Sequence, residues 1–236
     1  MHNTTTNTYT KTGKLTALAG FAAIACVLMM VVRIPVVLFL SYEPKDVAIV
    51  IAGFIFGPLV VVALSLVVSL VEMLTVSSTG PIGFLMNVIA TCTFACTAAF
   101  IYKRRKTLSG AVLGLVCGVV LSTVAMMLWN YIVVPIYMGI PREVVAGMLL
   151  PVFLPFNLVK GGLNAALTLL LYKPLTKALR AARLLSETET QPAASKNQMQ
   201  EEAQPVTKNE KLGVYLVAGT LLISCVLAVL ALQGII

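Results

Sequence analysis

Residues 151–174 (PVFLPFNLVKGGLNAALTLLLYKP) form an apolar run long enough to cross a lipid bilayer, yet the run contains three polar side chains. Asn157, Lys160 and Asn164 are separated by three and then four residues, a spacing that places them on one face of a helix. A lysine in the middle of a span costs roughly 2.5–3.5 kcal/mol, so it needs a partner, a cavity or a ligand. The pattern favours a polar pocket; the alternative is a lysine that snorkels to the surface and asparagines that join neighbouring helices.

The composition is that of a polytopic membrane protein. Of the 236 residues, 59% are hydrophobic and 11% are charged, whereas soluble domains contain about 25% charged residues. The net charge of +8 comes from clusters: thirteen of the seventeen Lys and Arg residues lie in the N-terminal tail, in 103–106 or in 173–211. Helices would leave the membrane on one side at these places, so the positive-inside bias explains the charge and we expect no binding of nucleic acid.

The apolar runs predict an all-α chain with a six-helix bundle and a seventh transmembrane helix. Gly57-Pro58 separates the second helix from the third, because a proline favours a helix boundary. The predicted helices are 15–34, 46–56, 58–76, 84–102, 108–129, 151–174 and 212–232. The predicted layout is a tail over 1–14, a six-helix membrane domain over 15–180, a polar, disordered cytoplasmic linker over 181–211 and the additional helix over 212–232.

Charge also predicts the orientation of the chain in the plasma membrane. With a cytoplasmic N-terminus, alternation of the seven helices places every basic cluster inside and the C-terminus outside. The cations that remain outside or within the membrane are Arg33, Lys45, Arg142 and Lys160.

Two further polar features interrupt the apolar runs. Residues 35–50 (PVVLFLSYEPKDVAIV) predict an ordered extracellular loop, which either binds a ligand or forms an ordinary interfacial turn. Glu72 lies near the outer end of the third helix, where it either reaches the interface or has a functional role.

The sequence lacks the usual signatures of catalysis. It contains no G-x-S-x-G elbow, no H-E-x-x-H motif, no phosphate-binding loop and a single aspartate, Asp46. The five cysteines lie within apolar runs, so we interpret them as packing residues, and the one histidine is His2. The sequence therefore predicts neither an enzyme nor a metal or cofactor site.

A set of polar side chains is predicted to lie toward the outer half of the membrane. Asparagine offers donors and acceptors and lysine offers donors, so with aromatic walls these side chains could bind a flat polar heterocycle. The set comprises Tyr42, Glu43, Asp46, Asn87, Asn130, Asn157 and Lys160.

Several motifs within residues 15–180 resemble the riboflavin-specific substrate-binding components of energy-coupling factor (ECF) vitamin transporters. The resemblance implies six helices that cradle the vitamin near the outer face, below the loop that joins the first two helices. The motifs, in order, are S-Y-E-P-K-D (41–46), G-F-I-F-G-P (53–58), G-P-x-G-F-x-x-N (80–87), N-Y-x-V-x-P-x-Y (130–137) and P-F-N-L-V-K-G (155–161).

The same resemblance implies roles for individual residues. Asn130, Asn157 and Lys160 would contact the isoalloxazine and ribityl groups of riboflavin, and Asn87 and Asn164 are further candidates. Riboflavin would be a transported substrate, so no cofactor is implied.

Two other regions also acquire expected roles from the resemblance. Residues from Tyr42 to Asp46 would belong to the loop that covers the vitamin. Ala19 and Ala23, on the first helix, would dock on a membrane-embedded coupling protein that joins two cytoplasmic ATPases. The seventh apolar run departs from the six-helix pattern of the family.

Three alternatives remain open at this point. The ligand could be another vitamin or a flavin nucleotide. The chain could be an intramembrane enzyme that acts on lipid or peptide, or a structural subunit without a small-molecule site.

Overall fold

The structure is a computed structural model, and it describes residues 11–181. This part of the chain folds into six helices and one β-hairpin; the linker and the seventh apolar run predicted from the sequence lie outside it. The helices are α1 (Lys11–Val31), α2 (Lys45–Phe56), α3 (Pro58–Thr75), α4 (Gly80–Arg104), α5 (Leu108–Met138) and α6, whose α-helical parts Arg142–Met148 and Leu154–Ala181 are joined by a π turn, Leu149–Phe153.

Five of these helices are long and apolar enough to cross a membrane, and α2 is the exception. With 12 residues, α2 spans about 18 Å, less than the roughly 30 Å of a hydrocarbon core. Residues 45–54 of α2 are all buried, and the helix contacts α1, α3, α4 and α6. The bundle therefore shields this short helix, which explains how a charged first turn is accommodated beside an apolar core.

Helix α5 shows how the apolar sequence divides between lipid and protein. Val116, Val120 and Val124, spaced by four residues, are exposed on its outer face. On its inner face, Gly114 and Gly118 lie against α4: a Cβ on Gly114 would come within 2.8 Å of Ala98 O. Small residues at this spacing let two helix backbones approach closely.

The segment between α1 and α2 forms a hairpin, where the sequence analysis predicted a loop. Strand β1 (Ile34–Val37) pairs antiparallel with β2 (Leu40–Tyr42), and a bulge interrupts the register after Pro35. Leu40 and Tyr42 alternate with Ser41 and are buried, so the hairpin directs one face into the bundle.

One end of the bundle collects aromatic and basic side chains from several helices. The hydroxyl groups of Tyr102 and Tyr172 lie 2.8 Å apart, and the rings of Phe54 and Tyr102 are 4.5 Å apart. Lys14 lies over the ring of Phe56 at 5.8 Å. The start of α1 and the ends of α4 and α6 therefore meet at one end, which we call the basic end.

Several predicted helix boundaries differ from the structure: α1 begins at Lys11 instead of residue 15, α4 begins at Gly80 instead of residue 84, and two further differences are larger. Helix α5 continues to Met138, nine residues beyond the predicted end, and α6 begins at Arg142 instead of residue 151. The apolar runs were predicted to end at Trp129 and to resume at Pro151, but α5 continues through Pro135, and Pro151 lies in the π turn of α6. The actual boundary is Gly139, whose left-handed φ of 66° ends α5.

Candidate functional site

A polar cavity lies between α2, α4, α5 and α6, toward the end of the bundle opposite the basic end. It is a narrow, partly open cavity of about 30 Å³. Its apolar walls include Leu40, Met86, Phe94, Met126 and Phe156. Its polar wall brings together six predicted site residues, namely Asp46, Asn87, Asn130, Asn157, Lys160 and Asn164.

The two remaining predicted ligand-binding residues lie behind this wall. Tyr42 is buried, and its hydroxyl group donates a hydrogen bond of 3.2 Å to Asn164 Oδ1. Glu43 is buried in a group of charged side chains next to the hairpin. Tyr42 therefore supports a wall residue directly, whereas Glu43 contacts Arg33 and Lys45, which do not line the cavity.

The amide of Asn130 presents an unsatisfied acceptor. Asn130 is 2% exposed, and its Oδ1 has no hydrogen-bond partner within the described residues. Leaving a buried acceptor unpaired costs about 1–3 kcal/mol. A ligand that donates a hydrogen bond in the cavity would remove this cost.

Lys160 supplies a cation to the same wall. Among residues 11–181, no carboxylate lies within 4.0 Å of its Nζ. Its neighbour Gly161 permits close packing, because a Cβ there would lie 2.9 Å from a methyl group of Val119. An intramembrane lysine without an anionic partner is a strong candidate for ligand binding.

Asp46 organises the polar wall from the first turn of α2. Its Oδ1 accepts a hydrogen bond of 2.6 Å from Thr91, and its Oδ2 accepts one of 3.2 Å from Asn164. Asn164 in turn accepts the hydrogen bond from Tyr42. The network thus ties α2, α4, α6 and the end of the hairpin together, and it uses both ends of the Asn164 amide.

A second network, the ionic cluster, consists of Arg33, Glu43, Lys45 and Glu72. Lys45 is 1% exposed and donates to Glu43 at 3.0 Å and to Glu72. Arg33 pairs with the other oxygen of Glu43 at 3.3 Å. Two cations and two anions therefore balance one another, which is the condition under which charges are tolerated away from water.

The ionic cluster reaches the cavity through Asn87. The Nδ2 of Asn87 donates to Glu72 Oε1 at 2.7 Å. Glu72 is 4% exposed, so the interpretation that it reaches the membrane interface was wrong. Neither the pairing of Lys45 with Glu72 nor that of Arg33 with Glu43 was predicted. The signal in the sequence was an acid inside an apolar helix with a lysine in the preceding helix.

Two π turns adjoin the cavity. One, Cys92–Cys96, lies within α4 and carries the wall residue Phe94. The other, in α6, ends at Phe153, whose carbonyl oxygen accepts a hydrogen bond of 2.7 Å from Asn157 Nδ2. Pro151 and Pro155 remove two backbone donors from this part of α6. Such irregular turns are common next to functional sites.

The fold and the cavity together define a multi-pass membrane protein whose helices enclose a polar site. The chain belongs to the family described as "ECF transporter, substrate-specific component", whose sequence profile matches residues 13–172. The resemblance identified from the sequence motifs is thereby confirmed at the level of the family.

Similar proteins include three riboflavin transporters. The chain is 29% identical to riboflavin transporter RibU of Staphylococcus aureus over 71% of its own length and 92% of the relative. It is 31% identical to RibU of Streptococcus thermophilus over 72% of its length and 86% of the relative. It is 27% identical to riboflavin transporter FmnP of Bacillus subtilis over 74% of its length and 99% of the relative.

A solved structure shares the fold. The chain superposes on a protein described as the S component of a bacterial ECF transporter with a TM-score of 0.61 and 28% identity, covering 72% of this chain and 98% of the other. Because the family consists of transporter components, the chain is a substrate-specific transport subunit and not an enzyme. Membership implies no cofactor.

Proposed function

We propose that the chain is the riboflavin-binding subunit of an ECF-type importer. It captures the vitamin from outside the cell and delivers it inward when it is coupled to a membrane partner and two ATPases. Support for riboflavin comes from the sequence motifs and from the names of the three relatives.

The observation that carries the proposal is that Asn130 and Lys160 both lie in the polar wall of the cavity. Asn130 Oδ1 needs a donor and Lys160 Nζ needs an acceptor, and among residues 11–181 neither has one. The isoalloxazine ring of riboflavin offers both, as a ring N–H and carbonyl oxygens. The apolar side chains of Phe94 and Phe156 would contact the flat faces of the ring.

The first test is the visible spectrum of the purified protein, followed by titration with riboflavin while its fluorescence is recorded. We expect bound flavin, quenching on binding, and loss of quenching in Asn130→Ala. Thr123→Val is the matched control, since Thr123 is buried on the same helix with an unpaired hydroxyl but does not line the cavity. A wild-type protein without flavin that also fails to quench added riboflavin would overturn the assignment.

A flavin nucleotide is the second candidate for the ligand, and Lys160 favours it. An ammonium group without a carboxylate partner can also bind a phosphate. Competition between riboflavin and its 5′-phosphate in the fluorescence assay decides between them. Riboflavin is assigned as the substrate if its 5′-phosphate binds more weakly than riboflavin to the wild-type protein and if Lys160→Met does not increase the ratio of the two Kd values.

We further propose that Ala19 and Ala23 form the contact with the coupling protein. Both are exposed on α1, on the side away from the buried Phe21 and Ala25. Ala19→Trp and Ala23→Trp should prevent co-purification with the coupling protein and still bind riboflavin. Val124→Trp, at an exposed position of α5, is the control for bulk alone.

The distribution of basic residues supports an orientation in the membrane and a layout of the chain. We propose that the basic end faces the cytoplasm, that residues 181–211 form a cytoplasmic linker and that residues 212–232 cross the membrane to an external C-terminus. In a background without the native cysteines, Thr107→Cys should react only from inside and Glu143→Cys only from outside. A reporter fused to the C-terminus should report an external location.

A further inference from the structure

The side-chain amide of Asn87 is fixed by a residue outside the cavity wall. Asn87 lines the cavity and is 8% exposed. Its Nδ2 donates to Glu72 Oε1 at 2.7 Å, and Glu72 itself is buried on α3 behind the wall. One end of the amide is therefore committed to an internal partner.

Glu72 is in turn held at its other oxygen. Lys45 donates to Glu72 Oε2 and, at 3.0 Å, to Glu43 Oε2. The Lys45 ammonium neutralises charge from both acids and fixes the plane of the Glu72 carboxylate between α2 and α4. This carboxylate has little freedom to turn away from Asn87.

The chemistry of the carboxylate decides which end of Asn87 faces the cavity. An ionised carboxylate only accepts hydrogen bonds, so Asn87 must present its NH₂ group to Glu72. The carbonyl oxygen of Asn87 then points away from Glu72 and is available to accept a hydrogen bond from a ligand. A reversed amide would bring two oxygens together and lose the hydrogen bond.

We infer that Glu72 is a positioning residue that makes Asn87 a hydrogen-bond acceptor for the substrate. Together with Asn130 Oδ1, which has no partner among the described residues, this gives the part of the polar wall formed by α4 and α5 two acceptors, while Lys160 supplies a donor from the part formed by α6. The site therefore selects a ligand with at least two donors on one side and an acceptor on the other. The identification of this ligand as riboflavin rests on the proposed function. The arrangement of donors and acceptors in the wall does not depend on that function.

The test replaces Glu72 by a group that can donate. In Glu72→Gln the new amide can turn its NH₂ toward Asn87, which frees Asn87 to rotate. Ser69→Ala is the matched control, because Ser69 is buried on α3 near Glu72 and lies outside the cavity wall. Thermal unfolding of each ligand-free variant establishes that it is folded.

The first readout needs no ligand. In protein labelled with ¹⁵N in asparagine, the side-chain resonance of Asn87 is assigned by its disappearance in Asn87→Ala. We expect its exchange with solvent to be slow in wild type and in Ser69→Ala, and faster by about tenfold or more in Glu72→Gln, since one hydrogen bond is lost. Unchanged exchange in Glu72→Gln would overturn the inference.

The second readout is a double-mutant cycle on the Kd for riboflavin. Glu72→Gln and Asn87→Ala should each raise Kd by about tenfold, and the double variant should bind no more weakly than Asn87→Ala alone. Independent, multiplying effects would instead show that Glu72 acts on stability or on another residue. If wild type does not bind riboflavin, the proposed function fails while the exchange measurement still decides the role of Glu72.

If Glu72→Gln does not fold, Glu72→Asp takes its place. The shorter side chain keeps the charge for Lys45 and withdraws the carboxylate from Asn87. The same increase in exchange is then expected, and an Asn87 resonance as protected as in wild type contradicts the inference.

Discussion

Asn164 donates a hydrogen bond of 3.2 Å to Asp46, across 118 residues of sequence, and so joins α6 to α2 in the polar wall of the cavity. The opposite end of the same amide accepts from Tyr42 at 3.2 Å. Asn164 was predicted as a ligand contact, and its position in the wall is compatible with that. Its polar atoms, however, are engaged by the protein itself, so its larger contribution should be to stability.

We predict that Asn164→Leu destabilises the ligand-free protein by roughly 1–3 kcal/mol, because Asp46 loses a donor while remaining buried. The unfolding midpoint in detergent measures the effect. Asn157→Leu is the matched control and should cost less, since the amide of Asn157 donates to a backbone carbonyl of its own helix at 2.7 Å. Equal losses in the two variants would contradict the prediction.

Lys45, which is buried, and Lys160, which is half-buried, should respond oppositely to replacement by methionine. Lys160→Met should leave the unfolding midpoint unchanged or raise it, because among the described residues no ion pair is broken and an unpaired charge is removed. Its Kd for riboflavin should rise by about tenfold or more, in line with loss of a charge-assisted hydrogen bond. Affinity and stability that fall together would show that Lys160 is structural.

Lys45→Met, in contrast, should destabilise the protein by roughly 3–5 kcal/mol, because it leaves two glutamates buried without the cation between them. The double variant Lys45→Met/Glu72→Gln should recover most of this loss, since the remaining Glu43 still pairs with Arg33 at 3.3 Å. Urea or thermal unfolding of the three proteins measures the recovery. A double variant less stable than Lys45→Met would show that the ionic cluster does not act as a charge-balanced unit.

Close packing of α4 on α5 gives a prediction for Gly118. A Cβ at this position would meet Phe94 O at 2.6 Å, so Gly118→Ala must push the helices apart. We expect a loss of about 1–3 kcal/mol and weaker riboflavin binding, because Phe94 lines the cavity. Gly147→Ala is the control: within residues 11–181, no atom outside the local backbone of its own helix lies within 4 Å of its Cβ position. Replacing this helical glycine should be neutral or stabilising by up to about 1 kcal/mol.

The sequence predicted most of the helix positions because hydropathy reports directly on the bilayer. Gly57-Pro58 correctly separates α2 from α3. The spacing of Asn157, Lys160 and Asn164 correctly placed them on one face of α6, since all three line the cavity. These inferences need only local periodicity.

The parts that were missed depend on contacts between distant segments. Lys45 meets Glu72 across 27 residues, and Asp46 meets Thr91 across 45. No local pattern distinguishes a lysine in an interfacial turn from one that is buried between two acids. The hairpin was missed for a similar reason, because its short strands are stabilised by burial of Leu40 and Tyr42 in the bundle.

The π turn in α4 affects how the sequence of this helix can change during evolution. Each such turn holds one residue more than an α-helical turn, and one residue corresponds to about 100° of rotation. Asn87 and Ala90, before Cys92–Cys96, therefore face the cavity in one phase, while Ala98 and Ala99, after it, pack in another. Deleting a single residue from this turn would rotate one set of residues relative to the other. Insertions and deletions, as well as substitutions, can therefore change which side chains face the cavity while the packed half of the helix keeps its contacts.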